Sequence, residues 1–248
     1  MSRPLHIGIL GHSTEGAALC FQIATREAAR LTGPHRHPPI TLTILPMADA
    51  MEAWAAHDLA AVRAILADEA RTLASAGADF FVCPDNTAHE ALAAPGPELA
   101  LPGLHIAEVV AEHARTQGFG TLGVMGTRWL MEGPVYRDAL QARGLQMRLP
   151  GPEARAHIHQ VIFEELCLGR FLDSSRAGFS AIIETLRAEG CDAVVLGCTE
   201  IPLLIDQADA CLPVLSSTGL LALAAVQTAL AGKAPDWRGG PPRPGSGG

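Results

Sequence analysis

The chain has 248 residues, of which 48% are hydrophobic and 18% are charged. This length is enough for one large α/β domain or two smaller ones, and for a core that needs no disulfide or metal to hold it. Lys and Arg number 18 and Asp and Glu number 26, which gives a net charge of -8. That balance argues against a surface that binds nucleic acid or an anionic membrane.

The cysteines and the apolar segments indicate the compartment. Six cysteines are scattered along the chain without a Cys-x-x-Cys pair, so a disulfide framework and a metal site are not expected. The first apolar run, 5–10, comes without the longer apolar segment of a signal peptide. The uncharged stretch 210–232 contains Pro213 and a Ser-Ser-Thr run, which favours a strand and a helix over a membrane span. We therefore expect a cytoplasmic protein with reduced thiols.

Short apolar runs that are typical of buried strands alternate with helical patterns along the chain. The predicted strands cover residues 5–10, 40–45, 79–83, 103–106, 121–125, 145–149, 193–196 and 212–215. Between them apolar residues recur at helical spacing, as at Leu59, Val62 and Leu66. Apolar strands that are each followed by a helix predict an α/β fold, with parallel sheets covered by helices on both faces.

An internal repeat divides the chain into two similar parts. The segment GADFFVCPDNT at 77–87 is similar to GCDAVVLGCT at 190–199, and HIGILGHS at 6–13 is similar to TLGVMGT at 121–127. The first pair is 113 residues apart and the second 115, counted between their first residues. Two matched segments at nearly one offset indicate a duplicated supersecondary unit.

The repeat predicts two pseudo-symmetric lobes, each a four-stranded parallel sheet flanked by helices. The first lobe is expected over 1–116, with the C-terminal helix 218–232 packing on it, and the second over 117–217. The Pro- and Gly-rich segment 233–248 is expected to be a flexible tail. Parallel sheets bind ligands beyond the carboxyl ends of their strands, which predicts an active site in the cleft between the lobes.

The repeat also pairs two reactive residues. When Asp79 is aligned with Asp192, Asp85 falls at the position of Cys198, each after a strand and before a helix. Two acid/base groups that approach a ligand from opposite sides suit the removal of a proton from one face of a carbon and its return to the other. The alternative is an architectural duplication whose loops carry no chemistry.

Four stretches of the chain resemble the cofactor-independent aspartate/glutamate racemase family. They are GILGHSTEG near the start, PDNTAH at 84–89, LGVMGTRWLMEGPVY at 122–136 and LGCTEIPLLI at 196–205. The resemblance implies two lobes, one catalytic residue from each lobe, a homodimer, and neither cofactor nor metal. It implies an isomerase of amino acid metabolism, a PLP-independent racemase or epimerase that moves a proton at Cα of a small carboxylate substrate.

The resemblance assigns roles to single residues. Cys198 matches the second catalytic cysteine of the family, and Asp85 stands where most members have the first. The positions implied to bind the substrate are Ser13, Thr14, Asn86, Thr87, Thr127, Thr199 and Glu200.

Asp85 is the main departure from the family pattern. A free carboxyl group is a weaker base than a thiolate by roughly 4 to 5 pKa units, so an aspartate donates a proton more readily than it abstracts one from a carbon. Asp85 is also suited to cap the helix that begins near Asn86. Cys83 is an alternative catalytic residue or a buried strand cysteine. His89 is expected either to orient a carboxylate or to lie on a helix surface.

Two other functions are open at this stage. A decarboxylase or isomerase of malonate-type diacids needs only Cys198, because loss of CO2 generates the carbanion without a base. A binding protein without catalysis would use Asp85 solely as a helix cap.

Overall fold

A computed structural model describes residues 3–240 of the chain. The described residues form two compact units, the first comprising 3–109 and 218–240 and the second 110–217. The boundary falls inside the helix Ile106–Thr116 rather than after residue 116, because the first turn of this helix packs with the first unit. Ile106 belongs to the first hydrophobic core.

The first unit is built around a four-stranded parallel sheet. Its strands are β1 (Ile7–Gly11), β2 (Ile40–Ile44), β3 (Phe80–Val82) and β4 (Gly103–Leu104), in the order β2-β1-β3-β4. Its helices are α1 (Thr14–Thr32), α2 (Ala48–Ala55), α3 (Leu59–Ser75), α4 (Ala88–Ala93), the start of α5 (Ile106–Thr116) and most of α11 (Ser217–Ala231).

Alternation along the strands gives this sheet two apolar faces. Ile7 and Ile9 point to one face and pack with α1 and α11. Leu10 and Phe81 belong to the core on the other face, which α3 and α4 cover. The strands β1 and β3 have no polar side chain because both of their faces are buried, as expected for parallel strands, whereas the edge strand β2 carries Thr41 and Thr43.

The second unit repeats this plan. Its strands are β5 (Thr121–Met125), β6 (Gln146–Arg148), β7 (Ala193–Leu196) and β8 (Val214–Ser216), parallel and in the order β6-β5-β7-β8. Its helices are the end of α5 with α6 (Arg128–Glu132), α7 (Pro134–Gln141), α8 (Pro152–Glu164), α9 (Asp173–Ala188) and α10 (Ile201–Leu204), and short 3-10 turns occur at Leu166–Leu168 and Gln207–Asp209. Phe179 and Ile183 of α9 pack on β7 in the main core.

The two sheets share their register as well as their strand order. Ile7 pairs with Phe80 in the first sheet, and Leu122 pairs with Ala193 in the second. These four positions are related by the offsets of 115 and 113 residues that the sequence repeat predicts. The predicted fold class is therefore confirmed, since each predicted strand overlaps an observed one and both sheets are four-stranded, parallel and flanked by helices.

Asp79 and Asp192 explain why the repeat begins with an aspartate. The Asp79 carboxylate accepts the backbone N–H of His6 at 2.6 Å, and the Asp192 carboxylate accepts those of Gly120 and Thr121, each at 2.8 Å. In both units the carboxylate ties the start of one strand to the start of its neighbour. These backbone donors hold the pKa of Asp192 below its usual range.

The prediction of a flexible tail from residue 233 is wrong for residues 233–240. Trp237 is 2% exposed and packs on Phe81, and its carbonyl accepts the N–H of Gly103 at 2.7 Å in an antiparallel bridge at the sheet edge. The Pro and Gly content of this segment did not predict its structure, because the large aromatic side chain of Trp237 fills a position in the core. Residues 241–248 lie outside the described residues. Within residues 3–240 the helices include none with the length and hydropathy needed to cross a membrane.

Candidate active site

Cys198 lies in the short turn between β7 and α10, at the carboxyl end of the second sheet. Gly197 precedes it where the chain runs against β5, and a Cβ at this position would stand 2.6 Å from the Leu130 side chain and 3.1 Å from the Met125 carbonyl. Only glycine fits this close approach without a shift of its neighbours. The glycine of the Gly-Cys-Thr-Glu turn therefore sets the position of the thiol.

The Cys198 side chain is bound to an acidic neighbour. Its thiol donates to Oε2 of Glu200 at 2.8 Å, and the Thr199 hydroxyl donates to the same oxygen at 2.8 Å. Cys198 is 9% exposed and Glu200 is 3% exposed. Burial, followed by the charge of Glu200 and its hydrogen bond, raises the pKa of Cys198 well above its usual range. The resting group is therefore a thiol, not a thiolate.

Asp85 occupies the equivalent turn after β3, in the first unit. One of its carboxylate oxygens, Oδ1, accepts the backbone N–H of Ala88 at 3.1 Å, so Asp85 caps the first turn of the chain toward α4. The side chain is half-buried. The cap uses Oδ1, and the side chain is only partly buried, so the Asp85 carboxylate can still accept a proton.

Cys83 belongs to the core of the first unit rather than to its ligand-facing turn. It has no exposed surface and packs with the residues of α3 and α4. Its thiol faces the Asp85 carbonyl at 3.9 Å, and burial raises its pKa far above the usual range for cysteine. The structure thus supports the interpretation of Cys83 as a buried strand cysteine.

His89 is a buried structural residue. It has no exposed surface, its Nε2–H donates to the Cys83 carbonyl at 3.1 Å, and its ring lies beside those of His105 and Trp237. Burial lowers its pKa to about 4. The expectation of a surface histidine is wrong, since α4 presents this side chain to the core. Its bond to the Cys83 carbonyl holds the chain just before Asp85.

The other predicted residues also lie at strand ends of their own units. Asn86, 2% exposed, and the half-buried Thr87 follow Asp85. The half-buried Ser13 and the exposed Thr14 begin α1 after β1. Thr127 caps α6 after β5, where its Oγ1 accepts the N–H of Leu130 at 3.2 Å.

His12 is a residue of this region that the sequence reasoning did not single out. It follows β1 directly, is 7% exposed, and its Nε2 accepts the indole N–H of Trp54 at 2.7 Å. The signal was available in the repeat, because the offset of 115 residues makes His12 the counterpart of Thr127. Trp54 gave no comparable signal, since it lies on α2, outside the repeated segments.

The remaining cysteines and histidines form no further centre in the described part of the chain. All six cysteines lie there and none is in a disulfide. Among residues 3–240, no three His, Cys, Asp or Glu side chains are grouped as metal ligands would be.

Comparisons with known proteins agree on one family. Residues 9–225 match the family model described as Asp/Glu/Hydantoin racemase. The chain is 24% identical over 164 residues to the broad specificity amino-acid racemase RacX of Bacillus subtilis, a match that covers 66% of this chain and 70% of the relative.

Two solved structures are similar over nearly their whole length. One, described as a candidate Asp/Glu racemase from Yersinia pestis, is 30% identical with a TM-score of 0.81, covering 91% of this chain and 99% of that one. The other, an aspartate racemase homologue from Pyrococcus horikoshii, is 25% identical with a TM-score of 0.73, covering 93% and 100%.

Proposed function

The chain belongs to the Asp/Glu/hydantoin racemase family, and we propose that it inverts Cα of a small acidic amino acid by a two-base mechanism. Its relatives support the activity of a cofactor-independent racemase, an isomerase. The observation that carries the mechanism is the equivalence of Asp85 and Cys198, which follow β3 and β7 at matching positions of two sheets with one register.

The resting protonation states give the two residues different roles. Cys198 carries its proton, because burial and the Glu200 carboxylate raise the pKa of the thiol. In the proposed step Asp85 removes the proton from Cα, the electron pair enters the carboxylate to give an enolate-like state, and Cys198 protonates the other face of the carbon. The products are the inverted enantiomer, a protonated Asp85 and a Cys198 thiolate.

Glu200 keeps Cys198 protonated between turnovers. A thiolate at Cys198 would stand 2.8 Å from a carboxylate oxygen in a buried turn, so the thiolate is strongly disfavoured there. The thiol is therefore protonated before each turnover, and a thiolate formed in the reaction quickly regains a proton. For the reverse direction Glu200 is the nearest acceptor of the thiol proton, and we propose this role for it in place of substrate binding.

The substrate carboxylate is proposed to bind at the strand ends. Donors suited to it are the backbone N–H groups of the two turns and the side chains of Ser13, Thr14, Asn86, Thr87 and Thr127. The Thr199 hydroxyl already donates to Glu200, so Thr199 would contribute through its backbone N–H. Hydrogen bonds to the carboxylate strengthen as the enolate-like state gains charge, so the same donors that bind the substrate stabilise the transition state.

The proposed substrate class rests on the relatives. The family model is named for Asp, Glu and hydantoin, one relative for a broad range of amino acids, and one solved structure for Asp and Glu. An acidic amino acid is the class that most of these names share. A decarboxylase of malonate-type diacids is not favoured by these relatives.

We further propose that the protein works in the cytoplasm as a homodimer. Reduced cysteines throughout the described chain support that compartment. Partly exposed aromatic residues of the second unit, Trp129 and Phe163 at 38% and 37% exposure, support self-association, because they form a ring cluster with His159 at the surface.

The test of the function is a chiral assay of the purified protein. Each enantiomer of aspartate, glutamate and several neutral amino acids is incubated alone and followed by chiral chromatography. We expect inversion of at least one acidic amino acid, lost in Cys198→Ser. The proposal is wrong if every compound stays optically unchanged, or if carbon dioxide is released from substituted malonates and no amino acid is inverted.

A further inference from the structure

The His12 ring is held in one tautomer by Trp54. An indole nitrogen can only donate, so the 2.7 Å bond from Trp54 Nε1 requires a lone pair on His12 Nε2. The ring proton of the neutral imidazole is then on Nδ1. The two rings are also in contact, with centroids 5.8 Å apart, so α2 holds the histidine by packing as well as by the bond.

The second nitrogen of this ring is available to a ligand. Within residues 3–240, Trp54 is the one hydrogen-bond partner of the His12 side chain, although His12 is 7% exposed. In contrast to Nδ1 of His89, Nδ1 of His12 is not fully enclosed, so a bound molecule can reach it in place of solvent. The Nδ1–H group therefore has the properties of a preformed donor that a bound molecule completes.

His12 and Asp85 lie in the turns that follow two neighbouring strands. Ile9 and Val82 are paired across β1 and β3, β1 ends at Gly11 and β3 at Val82. Since paired parallel strands are about 4.8 Å apart, both turns leave the sheet at the same edge. His12 is in addition the repeat counterpart of Thr127, whose hydroxyl is engaged as a helix cap.

We propose that His12 is a substrate-binding residue whose Nδ1–H donates to a substrate carboxylate, with Trp54 fixing the tautomer. The inference rests on the proposed function for the identity of the ligand as an acidic amino acid. Trp54 is a positioning residue, since it acts through His12.

Two amide substitutions distinguish the roles of the two His12 ring nitrogens. The side-chain amide of His12→Asn lies close to the place of Nδ1 and retains a donor there, whereas that of His12→Gln lies close to the place of Nε2. We expect His12→Asn to stay within about threefold of the native KM for aspartate and His12→Gln to raise it about tenfold or more, because a hydrogen bond to a charged group is lost. Trp54→Phe keeps an aromatic ring beside His12 but removes the hydrogen bond that fixes the His12 tautomer, and it should raise KM by an intermediate factor.

A measurement on the unaltered protein keeps the inference testable if a variant fails to fold. In 15N-histidine-labelled protein, long-range 1H–15N spectra report the tautomer of each ring, and His12 is identified by the signal that is missing from His12→Asn or that shifts in Trp54→Phe. We expect a neutral Nδ1–H ring whose Nδ1 shift changes on addition of L-aspartate. An Nε2–H ring, or a His12 signal that aspartate leaves unchanged, overturns the inference.

The binding spectra also distinguish this inference from the proposed function. If aspartate shifts the His12 signal but no amino acid is racemised, the proposed function is wrong, while the inference that His12 binds a carboxylate is retained. If aspartate is racemised while both His12→Asn and His12→Gln keep native KM values, the function stands and the role of His12 is wrong.

Discussion

The Cys198 thiol donates a hydrogen bond to the Glu200 carboxylate, with 2.8 Å between Sγ and Oε2. The Thr199 hydroxyl donates to the same oxygen, so the carboxylate is held in place beside the sulfur. Because the Glu200 charge favours the thiol over the thiolate, this contact makes Cys198 a proton donor at rest. In the proposed mechanism the two catalytic residues then differ in protonation at rest: Cys198 is a protonated thiol and Asp85 is a carboxylate.

Glu200→Gln should lower the pKa of Cys198. The substitution removes the nearby negative charge and leaves burial, so the pKa falls while it stays above the usual value. The thiolate fraction at a given pH then increases, and the pH midpoint for alkylation of Cys198 by iodoacetamide moves down. Mass spectrometry in a Cys167→Ser, Cys211→Ser background measures this, because those two cysteines are exposed.

Thr199→Val provides the matched control for that experiment. It removes one hydrogen bond to Glu200 and keeps the charge, so the alkylation midpoint should move less than in Glu200→Gln. An unchanged or higher midpoint in Glu200→Gln would show that the carboxylate does not control the thiol.

Asp85→Asn separates the base from the helix cap. Asparagine still offers an oxygen to the Ala88 N–H but has no carboxylate, so stability should be nearly unchanged while kcat falls about 100-fold or more. Asp85→Ala should lose the same activity and in addition about 1 kcal/mol of stability. Racemase rates with thermal melts measure both effects. A native kcat in Asp85→Asn would show that Asp85 acts as a helix cap and not as the base.

His89 should make the protein less stable in mild acid. Its pKa is lowered from about 6.5 in the unfolded chain to about 4 in the folded state. Between these values the unfolded state binds more protons, so stability is complete above pH ~6.5 and falls as the pH decreases toward about 4. The loss attributable to His89 is up to about 3 kcal/mol at the acid end.

Urea unfolding of His89→Gln at pH 7 and pH 4.5 tests this prediction. The difference in stability between the two pH values should shrink relative to the native protein. His157→Gln is the control, since His157 is exposed on α8 and should leave the difference unchanged. An equal pH dependence in native protein and His89→Gln would contradict the assignment.

Trp237 should stabilise the first unit. Trp237→Ala leaves a cavity beside Phe81, His89 and His105, with an expected cost of about 3–5 kcal/mol. Hydrogen exchange should accelerate in peptides from β3, α4 and β4. Trp129→Ala, at a residue 38% exposed, is the control and should cost less. Native exchange rates in Trp237→Ala would mean that residues 233–240 add nothing to the core.

The sequence predicted the fold because the central strands are buried on both faces. The runs 7–10 and 193–196 have no polar side chain, and the segments around them recur at nearly one offset, so two four-stranded parallel sheets could be foreseen. The same repeat placed Asp85 and Cys198 at equivalent turns. Tertiary contacts decided what was missed, since no local pattern indicates that Trp237 returns to the core.

The contacts between site residues were harder to predict than their positions. The sequence assigned Glu200 to substrate binding, which stays a prediction, but it did not predict that Glu200 accepts from the thiol two residues before it, because the turn folds the three side chains together. The bond between His12 and Trp54 joins residues that are 42 positions apart. A single histidine in a loop has no periodicity that would reveal such a partner.

Solvent deuterium incorporation tests the two-base mechanism most directly. Single enantiomers of aspartate and glutamate are incubated in D2O with native protein, Cys198→Ser and Asp85→Asn, and analysed by chiral chromatography with mass spectrometry. We predict an inverted product that carries one deuterium at Cα with the native protein, and neither inversion nor its deuterium label with either variant. Inversion that persists in Cys198→Ser or Asp85→Asn, or no inversion and no deuterium at Cα with the native protein, would contradict the mechanism.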